Sequence, residues 1–284
     1  MNYLKTALLF VAMFALLIIV GGAAGGKKGM LIAFGVALLL NFFTYWFSDK
    51  IILKMYGAKP VTASDYPAYY HIVRELSGRM ELPMPKLYVI NMGVPNAFAT
   101  GRDPAHSAVA VSPELLEALD KQEIEGVLAH ELSHVKHRDT LVMMIAVAMA
   151  TAITLLAEFA RIAAFFTGGR DDDGPNPVVI IALYLLALIA APLIQLAVSR
   201  TREYMADENS ARVTNRPQSL ISALEKLSAW SKEAPITGGV PATASLFIVN
   251  PFKENFFVNL LSTHPSLSRR KKNLEKVGSE LGVL

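Results

Sequence analysis

The stretch His130-Glu131-Leu132-Ser133-His134 has the residue types and spacing of a metal-dependent hydrolase. Residues four apart on a helix lie one turn above each other, so both imidazoles can converge on a single Zn2+. Glu131 is offset by about 100° and reaches past the metal to a water on it. Zinc lowers the pKa of such a water towards about 7, and the carboxylate takes the proton as a peptide carbonyl is attacked. The pentapeptide alone is not specific, because a solvated helix with two unrelated histidines carries the same letters. A zinc site also needs a third protein ligand and an open fourth position.

The element that presents these groups reads as a helix from Lys121 to Asp139. Asp120 is its N-cap, and Glu123 completes a capping box. Ile124, Val127, Leu128, Leu132 and Val135 recur at helical spacing. Upstream, Tyr66–Met80 reads as an amphipathic helix ended by Pro83 and Pro85. Three short β-type segments follow at Lys86–Asn91, Asn96–Thr100 and Ala108–Ser112, then a helix from Glu114 to Leu119 behind Pro113. An edge strand of such a sheet can pair with an extended peptide, whereas a three-stranded meander without a ligand fits the same residues.

Composition points to membrane spans elsewhere in the chain. Of 284 residues, 53% are hydrophobic, and the mean hydropathy is +0.38. Four apolar runs stand out: Leu4–Val20, Met30–Phe47, Leu141–Phe166 and Val178–Val198. The first two, joined by the Gly-rich Gly21–Gly29, read as a transmembrane hairpin; a signal peptide is the competing reading of the first. The third run continues directly from the histidine helix and holds Glu158 and Arg161, placed to pair. With the N-terminus inside, the inner side carries Lys5, Lys50, Lys54, Lys59, Lys136, Arg138, Arg200 and Arg202. The outer loops carry only Lys27, Lys28 and Arg170. The net charge of +3 is dispersed, which argues against a nucleic-acid partner. There are no cysteines, so any metal is held by His and carboxylates.

Immediately after the fourth run, Ser199 to Asp207 puts Glu203 and Asp207 on one helical face. Glu203 would supply the third zinc ligand, and Asp207 could accept the free N–H of a ligating histidine. A basic–acidic helix start at a membrane surface reads the same way. Four blocks together carry a resemblance: Asn96-Ala97-Phe98-Ala99-Thr100-Gly101, His130–His134 with Asp139 behind it, Ser199–Asp207, and Thr263-His264-Pro265 with Arg270. In these blocks, and over nearly its whole length, the chain resembles the HtpX-type membrane zinc metalloproteases, relatives of the CAAX prenyl proteases. The resemblance implies that His130, His134 and Glu203 bind one Zn2+ per chain and that Glu131 is the general base. It implies that Asn96, Ala97, Phe98, Ala99 and Thr100 lie beside the substrate, and that His264 donates a hydrogen bond to the developing oxyanion. By itself His264 reads as a structural loop histidine; His71, His106 and His137 are left outside the site.

The expected fold class is a mainly α membrane protein, with four transmembrane helices and a cytoplasmic zincin-like metalloprotease domain containing a small β-sheet. Residues 1–47 form the first transmembrane hairpin, 48–140 the first part of the catalytic domain, 141–198 the second transmembrane pair, and 199–284 the second catalytic part. The function expected is zinc endopeptidase action on misfolded or damaged membrane proteins, in quality control at the cell inner membrane. Both termini and the active site are expected on the cytoplasmic side. Two alternatives stand beside it: a selective peptide-processing protease of the prenyl type, and a membrane scaffold with a vestigial metal site. The partners implied are polypeptides and the lipid bilayer; oligomeric state has no signature in the sequence. The Ala234–Pro241 loop is a candidate flap.

Overall fold

The computed structural model describes residues 2–147, 200–233, 246–249 and 265–283. The chain divides into two compact units, Met1–Ser48 with Val142–Ala197 and Asp49–Leu141 with Val198–Leu284.

Helical geometry runs without a gap from Asn2 to Met55 (α1), yet the chain reverses within its part of the first unit. Gly26 takes a left-handed φ of 56°. Phe14 meets Phe34 edge-on at 5.1 Å between centroids, and Phe10 faces Tyr45 at 6.5 Å. On a straight helix, 20 residues would separate the first pair by about 30 Å. The arms therefore fold back on each other, and small residues permit it. A Cβ on Gly21 would meet Gly29 O at 2.5 Å, and one on Gly29 would meet Gly21 O at 2.0 Å. Gly26–Phe47 is long and apolar enough to cross a bilayer, while Thr6–Ile19 is a shorter apolar stretch. Where four spans were expected, one such helix is found among the described residues. Most of the third run (with Glu158 and Arg161), the whole fourth run and the Ala234–Pro241 loop lie outside the described residues.

The second unit is built on a four-stranded sheet, β1 (Lys59–Pro60), β2 (Lys86–Val89), β3 (Ala97–Gly101) and β4 (Ser107–Val111), ordered β1-β2-β4-β3. A simple three-stranded meander is not what forms. β4 inserts parallel to β2 and antiparallel to β3, and the two-residue β1 adds an edge. Pro60 lacks an N–H to donate, which suits that edge position. β3 forms the opposite edge.

Helices cover this sheet. α2 (Pro67–Arg79) buries Tyr69, Ile72, Val73 and Leu76, and Tyr69 donates its hydroxyl to Val109 O at 2.9 Å. α3 (Pro113–Ala118) is capped by Ser112, whose Oγ accepts from Leu115 N–H and also from Asn96 N–H. α4 (Lys121–Lys136) is buried from Glu123 to Val135. After the undescribed stretch come α5 (Arg200–Thr214) and α6 (Pro217–Glu233), which pack on α4 and on each other, and α7 (Leu267–Leu281), which packs on α5 and α6. Leu76, Val109, Leu128, Leu132, Ile221 and Leu274 lie in one shared core.

The histidine helix does not run on directly into the third apolar run. α4 stops at Lys136, Arg138 takes a left-handed φ of 58°, and helical geometry resumes over 139–147. His137 N–H and Arg138 N–H close the end on Ser133 O and Val135 O. A left-handed residue at this point ends the helix as a C′ residue does.

Candidate active site

α4 starts where the sequence places it. Asp120 Oδ1 accepts from Gln122 and Glu123 N–H at 2.8 and 2.9 Å, and Glu123 Oε2 accepts from Asp120 N–H at 2.8 Å. Glu123 is itself held by Ser222 and Lys226 of α6. Halfway along, Gly126 lets α6 approach, since a Cβ there would lie 3.3 Å from Leu220. Ser210 of α5 donates to Gly126 O at 2.6 Å. These contacts fix α5 against α4, and Glu203 lies two turns before Ser210 on the same face.

Three side chains meet as a result. His130 Nε2 lies 3.2 Å from His134 Nε2 and 3.6 Å from Glu203 Oε2, and His134 Nε2 lies 3.5 Å from Glu203 Oε1. With one donor atom from each residue, the group fits within 4.8 Å. Donors about 2.0–2.1 Å from a tetrahedral ion are about 3.3 Å apart, which is the spacing seen. All three residues are buried, Glu203 at 0% exposure. Each Nδ1 lies beside a carboxylate, and the tautomer with its proton on Nδ1 turns an Nε2 lone pair towards the other donors. Electron-rich atoms converging in a dry site repel unless a positive charge shares the space. The His130 pKa reports the same demand: burial works to lower it, but hydrogen bonds to Asp207 and Glu203 raise it to about 9. His134 is lowered, chiefly by burial. The donor set and spacing fit a divalent metal.

Each histidine has its own carboxylate behind it, and each carboxylate its own arginine. His130 Nδ1 is 2.9 Å from Asp207 Oδ1, and Arg270 of α7 donates to both Asp207 oxygens, at 2.6 and 2.9 Å. Burial raises the Asp207 carboxyl, yet Arg270 and His130 hold it below its ordinary value. His134 Nδ1 is 3.3 Å from Asp139 Oδ2, and Arg202 pairs with Asp139 Oδ1. Such partners set the tautomer and ring orientation of a ligating histidine.

Glu131 is anchored on the sheet edge. Its Oε2 accepts from Ala99 N–H at 2.9 Å. Since that N–H points away from β4, alternation along β3 turns the backbone groups of Ala97, Ala99 and Gly101 to the same outer side. Gly101 O is taken by Thr140 Oγ1 at 2.9 Å. Phe98 packs by Tyr56, with centroids 6.0 Å apart. The side chain of Asn96 is committed to a chain segment remote in sequence: Nδ2 donates to Leu246 O at 3.3 Å and Oδ1 accepts from Ile248 N–H at 3.2 Å.

Residues 67–277 match Peptidase family M48. This chain belongs to that family. Similar proteins include a "Protease HtpX homolog" of Paraburkholderia phytofirmans, 49% identical over 95% of this chain and 94% of the relative. Another, from Pyrococcus furiosus, is 46% identical over 99% and 98%. Among solved structures, S. mikatae Ste24p shares the fold with a TM-score of 0.52 at 20% identity, over 95% of this chain and 62% of that one. This chain thus spans just under two thirds of the Ste24p chain. As an M48 member it is a metalloprotease, and its M48 match encloses the His130–His134–Glu203 group.

Of the residues singled out in the sequence, His130, Glu131, His134, Glu203 and Asp207 meet at one place, and β3 with Ala97–Thr100 lies along it. His264 lies outside the described residues. His137 turns its Nδ1 to Ser133 O, and His106 faces Asp103. Asp139 and Arg202, part of the blocks that carry the resemblance, had no site role in the sequence. On an unbroken helix a residue five positions on is rotated about 140° away, so only the break at Arg138 brings Asp139 to His134.

Proposed function

We propose that this chain is a zinc endopeptidase of the cell inner membrane that cuts misfolded or damaged membrane proteins. The observation that carries the reading is the meeting of His130, His134 and Glu203 at 3.2–3.6 Å with Glu131 anchored beside them on the edge strand β3. Those three residues would hold the zinc, which when bound would supply Lewis-acid polarisation of a water and of the scissile carbonyl. Glu131 takes the proton of the attacking water and passes it to the leaving amine. Asp207 keeps His130 in the tautomer whose Nε2 lone pair faces the centre. His264 donates to the carbonyl oxygen as it gains charge; one such donor is worth about 3 kcal/mol. An extended substrate pairs with β3, using the outward groups of Ala97 and the carbonyl of Ala99. Asn96, Phe98 and Thr100 shape that strand from behind.

The relatives' printed name, protease HtpX homolog, and the apolar helix Gly26–Phe47 support a membrane setting. In this reading residues 1–47 and 141–198 supply four spans, and 48–140 and 199–284 form the cytoplasmic catalytic domain. Cysteines placed at Ser64 and Asp172 of this cysteine-free chain would then react with an impermeant thiol reagent from opposite sides. Labelling of both from one side would refute the topology.

The activity test offers zinc-loaded protein in detergent an unfolded membrane protein and, separately, a prenylated peptide. Chelator-sensitive fragmentation of the unfolded protein is the expected result. Cleavage of the prenylated peptide alone would favour selective processing. Cleavage of neither, with zinc bound, would favour a scaffold.

A further inference from the structure

We infer that Asp139 and Arg202 are positioning residues of the metal centre, with Arg202 holding Asp139 and Asp139 fixing the ring of His134. This rests on the metal-centre reading above. Arg138 adopts a left-handed φ of 58° without being glycine, a conformation that costs energy for a side chain of this size. Its consequence is that Asp139, which a continuous helix would turn away, presents Oδ2 to His134 Nδ1 at 3.3 Å. Arg202 meets the other oxygen, Oδ1. Asp139 is buried, at 7% exposure, so its charge needs a partner close by. Arg202 supplies one, and its side chain is itself largely covered.

The position of this pair in the chain gives it a second consequence. Asp139 follows the helix that carries His130 and His134, while Arg202 immediately precedes Glu203. The ion pair therefore joins the two segments that donate the three metal ligands, at the point where the chain leaves α4 and the point where it enters α5. The arrangement repeats the His130–Asp207–Arg270 relay on the other side of the site. Both rings are thus steered through Nδ1, and both Nε2 atoms are aimed at the centre.

The test uses full-length protein in detergent and measures release of zinc to a colorimetric chelator, with the absorption spectrum of the Co2+-loaded form as a report on ligand geometry. D139N keeps the shape and removes the charge; it should speed zinc release by about 10–100-fold and alter the Co2+ spectrum. R202A should do the same to a lesser degree, and R202K should recover part of the loss as a point charge. Because Arg202 acts through Asp139, the D139N/R202A double variant should release zinc no faster than D139N. The thermal midpoint of the metal-free proteins separates loss of folding from loss of positioning, and D139N carries the test if R202A does not fold. Wild-type release rates in D139N, or strictly additive effects in the double variant, would overturn the inference alone. A wild-type protein that takes up no zinc would overturn the metal-centre reading and this inference with it.

Discussion

The Glu131 carboxylate and the Ala99 backbone N–H are joined at 2.9 Å, which ties the group beside the two histidines to the strand at the sheet edge. One oxygen of Glu131 is thereby fixed, and the carboxylate cannot rotate freely. The strand proposed to hold the substrate backbone also holds the base, so the spacing between them is set by β3 itself.

Ala99→Pro removes that donor without removing a ladder bond, because the N–H faces away from β4 and β3 is an edge strand. Losing a hydrogen bond to a charged group costs about 1.5–3 kcal/mol, or roughly 10–100-fold in rate. Peptidase turnover should fall by that much while zinc content stays at one per chain. Parallel loss of zinc would mean the strand acts on the ligands as well.

Glu203→Ala leaves only the two histidines facing the centre. Zinc affinity should drop by more than the roughly 10–100-fold typical of losing an outer partner. Competition against a chelator of known affinity measures this directly, and an unchanged affinity would remove Glu203 from the ligand set.

Asn96→Ala should destabilise the second unit rather than alter metal binding. Its side chain satisfies Leu246 O and Ile248 N–H, and both would be left buried without it. An unsatisfied buried group costs about 1–3 kcal/mol, which lowers a thermal midpoint by several degrees in a chain of this size. Asn96→Asp should not recover the loss, because its carboxylate would face the Leu246 carbonyl oxygen and bury a charge there. Equal midpoints for all three proteins would contradict the assignment.

Glu123→Gln should expose a pH-dependent part of the fold. Burial raises the Glu123 carboxyl, but Lys226, Ser222 and the Asp120 N–H together hold it below the ordinary 4.5. A carboxyl lowered on folding contributes stability above its unfolded value and loses it as pH falls through the folded one. The midpoint gap between wild type and Glu123→Gln should therefore be full at pH 7 and shrink below about pH 4.5. A gap that widens in acid would contradict this.

The local elements were legible in the sequence. The Asp120–Glu123 capping box, the amphipathic α2 and the Ser112–Pro113 helix start depend on neighbours within a few residues, and the structure has them as read. The hairpin of α1 was legible too, because Gly21, Gly26 and Gly29 cluster where a turn and a close approach require them. What escaped was long-range or contrary to propensity. Nothing local signals that β4 slips between β2 and β3, or that Asn96 reaches residues 150 positions away. Arg138 carries no turn signal, so the break that delivers Asp139 to His134 was invisible, and with it the Arg202 pair. Glu203 and Asp207 could be paired with the histidines because they lie four apart after an apolar run and because their block carries the family resemblance.

The central claim is that Glu131 does chemistry beside a metal held by its neighbours. The most direct measurement sets wild type beside Glu131→Gln, purified and zinc-loaded, and follows both zinc content and fragmentation of an unfolded test protein. The account predicts one zinc per chain in each protein and chelator-sensitive fragments from the wild type alone. Fragmentation by Glu131→Gln at a rate near wild type would contradict it.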